Sequence, residues 1–322
     1  MIKQLKSIIF LIFIIEGIIC GQYSDAGLDY QMIMRNNPGL TGAEGDGFLR
    51  LSYLNYYPGQ GYNLFSGSIS YDGYFPALHG GAGFYVSNDY MGGIINDFQG
   101  GFSYAYYFQA GKGLFISAGL SASLYHRGYN LSGSVLPEQI DPVSGVIFPS
   151  GETISGEGKN VLDLGTGFLF MTGRFFWGIS VSHLTEPDID YSGDAAGKLG
   201  RKLLLHAAGD YSLGNDKELK IRPVIKCEIM KDFIMAGAGA VLEGRHLSVS
   251  AMIFGDRGKN YDLQAGFAVE TGITKFFYNY RFNMASGKNL LPFSLFHQTG
   301  ITLGLNNVEK RRVIKTIKYP NL

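Results

Sequence analysis

The sequence predicts an all-β fold: a transmembrane, antiparallel, up-and-down β-barrel of about fourteen strands, exported behind a cleaved N-terminal signal peptide. Three observations predict it. Apolar residues recur at every second position in one run after another. The first twenty or so residues read as an export signal. Beyond them, no apolar stretch approaches the roughly 20 residues that a spanning helix needs.

Composition agrees. Only 17% of the 322 residues are charged, below the roughly 25% of soluble domains. Tyrosine (21) and phenylalanine (23) are abundant, and such rings suit a membrane–water boundary. The 46 glycines are about twice the average share, as closely packed, bent strands require. Lys plus Arg (27) equals Asp plus Glu (27), so no overall charge invites nucleic acid.

The N-terminal segment is the first element. Lys3 and Lys6 form a positive start, and Ser7 to Ile15 is a short, nearly pure apolar run. It is too short for a comfortable spanning helix and suits a secretory signal over residues 1–21, with cleavage near Gly21. The alternative is a lipoprotein attached through Cys20, which a bulky Ile19 before the cysteine disfavours. If Cys20 leaves, Cys227 is the sole mature cysteine; no intrachain disulfide is then possible, and nothing resembles a metal framework.

Residues 22–47 follow as a periplasmic lead-in. Pro38 fixes its own φ and restricts Asn37, while Gly39 and Gly42 permit sharp turns. Residues 36–47 are therefore expected as a compact non-strand segment. Its role is a structural lead-in, with a direct partner contact through Asn37 and Pro38 as the alternative.

The barrel proper is expected over 48–307. Strand faces are read by alternation. Leu114, Ile116, Ala118, Leu120, Ala122 and Leu124 suit hydrocarbon, while Phe115, Ser117, Gly119, Ser121, Ser123 and Tyr125 between them are mostly small or polar. The same pattern places Phe102, Tyr104, Tyr106 and Phe108 on one face, and Phe175, Trp177, Ile179 and Val181 on another. It turns Leu219, Ile221, Ile225, Cys227 and Ile229 outward and Lys220, Arg222, Lys226 and Glu228 inward. Asp262 and Glu270 face the lumen by the same parity. These lumenal charges either line a channel or pair to fill the interior, and filling is the reading favoured.

Strands are expected at 48–57, 62–72, 79–88, 96–109, 113–126, 160–171, 174–183, 201–213, 217–230, 232–242, 245–255, 260–271, 273–284 and 297–306. Lipid offers no hydrogen-bond partners, so the sheet must close. The long connections join strands 5–6, 7–8 and 13–14, all odd-to-even and hence at one barrel end. Short even-to-odd turns then lie in the periplasm. A lost or added strand pair would preserve this parity, so twelve or sixteen strands remain compatible with it.

Residues 308–322 form a basic tail, with Lys310, Arg311, Arg312, Lys315 and Lys318 against Glu309. Parity places it in the periplasm. It either docks on an acidic partner by charge complementarity or is simply solvated.

No catalytic constellation appears, so no enzymatic activity and no cofactor is expected. His79, His126, His183, His206, His246 and His297 are scattered, without metal-ligand spacing. His183 and His206 flank a long outer loop and read as solvated loop-end residues. The acidic loop 184–200, with Glu186, Asp188, Asp190 and Asp194, lacks a calcium-loop frame and reads as solvated. Gly237-Ala238-Gly239-Ala240 reads as a bulge or point of curvature within a strand.

Several stretches, in order, resemble the PorP/SprF family of type IX secretion and gliding outer-membrane proteins of Bacteroidetes. Tyr30 to Gly42 looks like the family's N-terminal "NPA-x-x-G" element, with Gly39 where Ala is usual. Ser66 to Asp72 and Gly81 to Asp89 are similar to its second and third strands. Tyr104-Ala105-Tyr106, Gly178 to Leu184 with Pro187, and Arg222-Pro223-Val224 with Lys226 fit its middle. Ser294 to Leu303 resembles its final strand, with Gln298 where Glu is common. The resemblance implies a non-enzymatic component that anchors the periplasmic lipoprotein ring (PorK- and PorN-like proteins), or assists export and surface retention of a secreted adhesin. A channel for small or hydrophobic solutes is the alternative. Outer-membrane lipid is the expected surroundings.

Overall fold

The structure is a computed structural model. It describes residues 33–305 apart from 46, 60–62, 93–94, 130–138, 142–146, 149–157, 190–196, 214–218, 232 and 288–291. The expected signal peptide and basic tail lie outside the described residues.

Fifteen strand segments form one antiparallel sheet. They are β1 (Phe48–Tyr56), β2 (Leu64–Phe75), β3 (Gly80–Met91), β4 (Ile95–Gly111), β5 (Leu114–Tyr129), β6 (Lys159–Thr172), β7 (Phe175–Ser182) and β8 (Lys202–Gly209). Then come β9 (Tyr211–Leu213), β10 (Leu219–Met230), β11 (Phe233–Glu243), β12 (Leu247–Asp256), β13 (Tyr261–Thr271), β14 (Thr274–Ala285) and β15 (Phe293–Gly304). β8 and β9 both pair with β10, so they are two parts of one stave, and the barrel has fourteen staves. β1 pairs with β15 from Phe48↔Gly304 to Tyr56↔Phe296. That seam closes the sheet and removes the edge that lipid would leave unsatisfied.

The break between β8 and β9 has a cause in the neighbouring strand. Val224↔Ala208 and Ile221↔Tyr211 keep one register, which brings Pro223 opposite Gly209. Proline has no N–H to give the ladder. The Asp210 amide bonds instead to the Arg174 carbonyl at 3.0 Å, tying the stave to the turn before β7.

The alternation read from sequence is realised side chain by side chain. On β4, Phe98, Phe102, Tyr104, Tyr106 and Phe108 are exposed, while Asp97, Gln99, Ser103, Ala105 and Tyr107 are buried inside. On β10, Ile225 is exposed, whereas Arg222, Lys226 and Glu228 are buried. A wall whose outer face is apolar and whose inner face carries the polar groups fits a bilayer and not a water-soluble sandwich.

Two expectations are corrected. Gly237 to Ala240 sits in an unbroken register with both neighbours, so it is no bulge. A Cβ at Gly237 would lie 2.2 Å from the Phe254 ring, and the glycine is there to admit that ring. The register shifts fall elsewhere, at Gln109/Gly111, Tyr261/Asp262 and Arg281/Phe282. The last strand also starts earlier than expected, at Phe293. Its polar start, Ser294, hid the strand: the Arg281/Phe282 irregularity reverses the face and puts Ser294 opposite Phe282.

Candidate functional site

The N-terminal segment is not outside the barrel over its described part. Helix α1 (Ile33–Asn36) and a 3-10 turn (Pro38–Leu40) lie in the lumen, against β4, β5, β6 and β7. Asn37, Leu40 and Thr41 are 0% exposed. The expected periplasmic lead-in is thus a plug seated inside the short-turn end.

Its local shape follows from the sequence. Asn37 is extended (φ −147°, ψ 108°), as the residue before a proline must be. Its Oδ1 accepts a hydrogen bond from the Gly39 amide at 2.9 Å, a local turn that asparagine is suited to close. Pro38 opens the helical turn, where its missing N–H costs nothing. Thr41 donates from Oγ1 to the Pro38 carbonyl at 2.8 Å. Gly42 turns with φ +70°, which a larger residue would resist. Gly39 has no positive φ; it is small because the Gly167 carbonyl lies 3.2 Å from where its Cβ would be.

The wall grips this turn mostly by its backbone. Ser180 Oγ donates to the Asn36 carbonyl at 2.5 Å, Ser117 Oγ to that of Gly39 at 2.7 Å, and Tyr107 OH to that of Thr41 at 2.6 Å. Asp72 accepts the Gly42 amide at 2.7 Å. Asn37 Nδ2 donates to the Phe168 carbonyl at 3.2 Å and lies 2.9 Å from His206 Nε2. An amide nitrogen can only donate, so Nε2 accepts and the imidazole carries its proton on Nδ1. Close approach is possible because the facing strands present glycine. A Cβ would sit 2.2 Å from Pro38 C at Gly119, 1.9 Å from Thr41 O at Gly81, and 2.0 Å from Asn37 Oδ1 at Gly167.

Below the turn, three buried charges tie plug to wall. Arg50 on β1 pairs with Asp72 on β2 and with Glu44 of the plug, the latter at 3.2 Å. Across the lumen, Ile33, Leu40 and Ala43 join one apolar cluster with Tyr107, Leu169, Phe176, Val241, Met252 and Phe254. Burying Ile33 and Leu40 there is worth about 1.5–3 kcal/mol each. The lower lumen is therefore packed as a protein interior is.

Above the plug the lumen is polar, and its charges are paired. Arg127 chelates Asp97 through Nε (2.7 Å) and Nη2 (2.5 Å). Arg281 bonds Asp262 at 2.7 Å and lies 4.2 Å from the Phe254 ring. Lys226 meets Glu228 at 3.5 Å, and at the short-turn end Arg222 pairs with Asp210 and Glu243. Of the inward charges read from parity, Arg222, Lys226, Glu228 and Asp262 stand in ion pairs, whereas Glu270 is exposed and Lys220 half-buried. A small polar recess of about 10 Å³, room for about one water, lies between plug and wall beside Arg35, Asp163, His183 and Lys202.

His183 and His206 are not solvated loop-end residues. His183 turns inward at φ +58° and bonds Asp163 at 2.7 Å, and His206 holds Asn37. In the acidic loop, Asp188 pairs with Lys159 at 3.0 Å and Glu186 with Arg201 at 3.6 Å; Asp190 and Asp194 lie outside the described residues. Of the candidate partner-binding residues, Asn37 and Pro38 are buried in the plug. Lys310, Arg311, Arg312, Lys315 and Lys318 lie outside the described residues. Sequence reasoning missed Glu44, Asp72, Ser117, Ser180 and His206 as plug contacts. The available signal was glycine at lumenal positions of β3, β5 and β6.

Comparison with known proteins follows the same line. No curated protein matches the chain. Among solved structures, a deltaS2S3 mutant of the TodX monoaromatic hydrocarbon channel superposes with a TM-score of 0.53 at 12% identity, covering 87% of this chain and 94% of that one. The Acinetobacter baumannii outer membrane protein Omp33 gives 0.48 at 9% identity, covering 82% and 100%. The Pseudomonas putida toluene transporter TodX gives 0.47 at 11%, covering 87% and 93%. The first of these likenesses supports the barrel fold and nothing finer. The family model described as "Type IX secretion system membrane protein PorP/SprF" matches residues 30–285, from just before the plug to the end of β14. The chain therefore belongs to the PorP/SprF family of type IX secretion system membrane proteins and is an outer-membrane barrel.

Proposed function

We propose that this barrel serves type IX secretion as a non-conducting, non-enzymatic anchor. Its short turns and basic tail face a periplasmic ring of PorK- and PorN-like lipoproteins, and its outer loops face a secreted adhesin during export and retention. The observation that carries this reading is the lumen packed with the chain's own residues 33–44. A solute pore needs a continuous wet path, whereas an anchor needs a rigid body, and the buried Glu44–Arg50–Asp72 group ties plug to wall.

The test is the tail. A variant in which Lys310, Arg311, Arg312, Lys315 and Lys318 are all changed to Gln should still insert as a barrel yet lose co-purification with the ring proteins. Retained co-purification with an intact ring would remove the tail from the contact. Retained ring assembly in cells that lack the barrel altogether would end the anchoring reading.

One observation favours a second reading, a channel for small or hydrophobic solutes: the fold likeness to a protein described as a monoaromatic hydrocarbon channel. The polar, ion-paired outer lumen argues against an apolar cargo.

A further inference from the structure

At the seam that closes the barrel, a polar island faces the lipid. On β1, Asn55 follows Leu51 and Tyr53 along the outer face, alternating with the inward Arg50 and Leu54. On β15, His297 and Thr299 point outward, alternating with the inward Phe296 and Gln298. The seam register sets Asn55 directly opposite His297. Aromatic rings stand around the pair. Tyr57 and Phe293 meet at 6.2 Å on its long-loop side, and Tyr280 lies 4.8 Å from the His297 ring.

The island offers two N–H donors. His297 Nδ1 is hydrogen-bonded to the Tyr278 hydroxyl, which has no other hydrogen-bond partner among the described residues. The hydroxyl therefore donates, Nδ1 accepts, and the ring proton sits on Nε2. Neither that N–H nor the Asn55 side-chain amide has a hydrogen-bond partner among the described residues. A donor left unmade against hydrocarbon is costly. Next to Tyr53, Gly67 of β2 leaves a dent in the outer surface, with nothing within 4 Å of where its Cβ would be. Donors set among rings, with an apolar dent below them, match the part of a lipid where polar atoms adjoin the chains. Those atoms are the carbonyls that link acyl chain to headgroup, and a carbonyl only accepts.

We propose that this island is a lipid site of the leaflet at the long-loop side. Asn55 Nδ2 and His297 Nε2 donate to an acyl-linkage carbonyl, and the chain below it runs over the dent at Gly67. Because the two donors come from the first and last strands, the bound lipid clasps the seam that closes the barrel. The inference does not depend on the anchoring reading.

Native mass spectrometry of the full barrel in mild detergent tests it. The barrel is given an equimolar mixture of dioleoyl phosphatidylethanolamine and its di-O-alkyl ether analogue, which keeps headgroup and chains but has no carbonyl. The ester lipid should be retained about five-fold over the ether, the ratio that one net hydrogen bond gives. A double variant, Asn55→Leu with His297→Leu, should still fold as a barrel and retain the two lipids equally. Asn55→Leu alone, which should diminish the preference, is the second variant should the double one fail to fold. Equal retention of ester and ether by the wild-type barrel would overturn the proposal, as would an undiminished preference in a folded variant. A barrel dimer that forms through this face and excludes the lipid would overturn it as well, and would assign the island to a second copy of the chain.

Discussion

Asp72 shows how much one side chain carries here. It accepts the Gly42 amide and neutralises Arg50, and both it and Arg50 are 1% exposed. Removing one partner of a buried charge group leaves the other unpaired, at a cost of about 3–5 kcal/mol. Asp72→Ala should therefore lower the stability of the folded barrel by about that amount, measured by urea unfolding in lipid. A loss below about 1 kcal/mol would mean that the group is solvated. Asn37→Ala removes the cap of the 3-10 turn and should cost about 1 kcal/mol from that alone, with the freed His206 and Phe168 acceptors adding to it. Trp177 offers a check of the outer face. It is the chain's one tryptophan, lies half exposed on the outside and stacks on Phe170 at 4.0 Å. Its fluorescence should be quenched by lipids brominated along the acyl chain and spared by aqueous iodide. The opposite ranking would place this face in water.

At the scale of elements, the plug and its glycine seats decide most. Gly119 and Gly100 both lie in long strands of the same sheet region. A Cβ at Gly119 meets Pro38 at 2.2 Å, whereas a Cβ at Gly100 meets nothing closer than 4.0 Å. Gly119→Ala should cost about 1–3 kcal/mol by overpacking and expose residues 33–44 to added protease. Gly100→Ala should be neutral in the same unfolding and proteolysis assays; equal effects would deny the seat. This contrast also explains what could be read in advance. Strands were legible because lipid outside and polar groups inside impose a period of two, visible in Leu120 against Ser121 or Ile225 against Lys226. The turn chemistry of Asn37-Pro38-Gly39 was legible as well. Its location was not, because the same local hydrogen bonds close an exposed turn and a buried one. Only the partner strands distinguish them, and their message is an absence: glycine at Gly81, Gly119 and Gly167, where a lumen would otherwise carry side chains. His206 was misplaced because it was judged by sequence distance from a loop, although strand parity already turned it inward beside Leu204 and Ala208.

For the whole molecule, the lumen has two storeys. The short-turn half is a packed core built around residues 33–44. The half nearer the long loops holds ion pairs such as Arg127–Asp97 and Arg281–Asp262 beside the buried Met235, Phe254 and Phe296. The parity of the staves and a number near fourteen were legible in the sequence, since loop lengths are properties of the chain itself, while the choice among twelve, fourteen and sixteen needed the closed sheet. The plug was not, since it depends on which residues meet across more than a hundred positions, as Asn37 does with His206.

Planar-bilayer conductance of the purified barrel tests this most directly. The intact chain should give no steady current, while a variant lacking residues 33–44, or Gly119→Val should the deletion fail to fold, should open a steady ion-conducting pore. Steady conductance of the same size in the intact and plug-less proteins would contradict the account, because the segment would then close nothing.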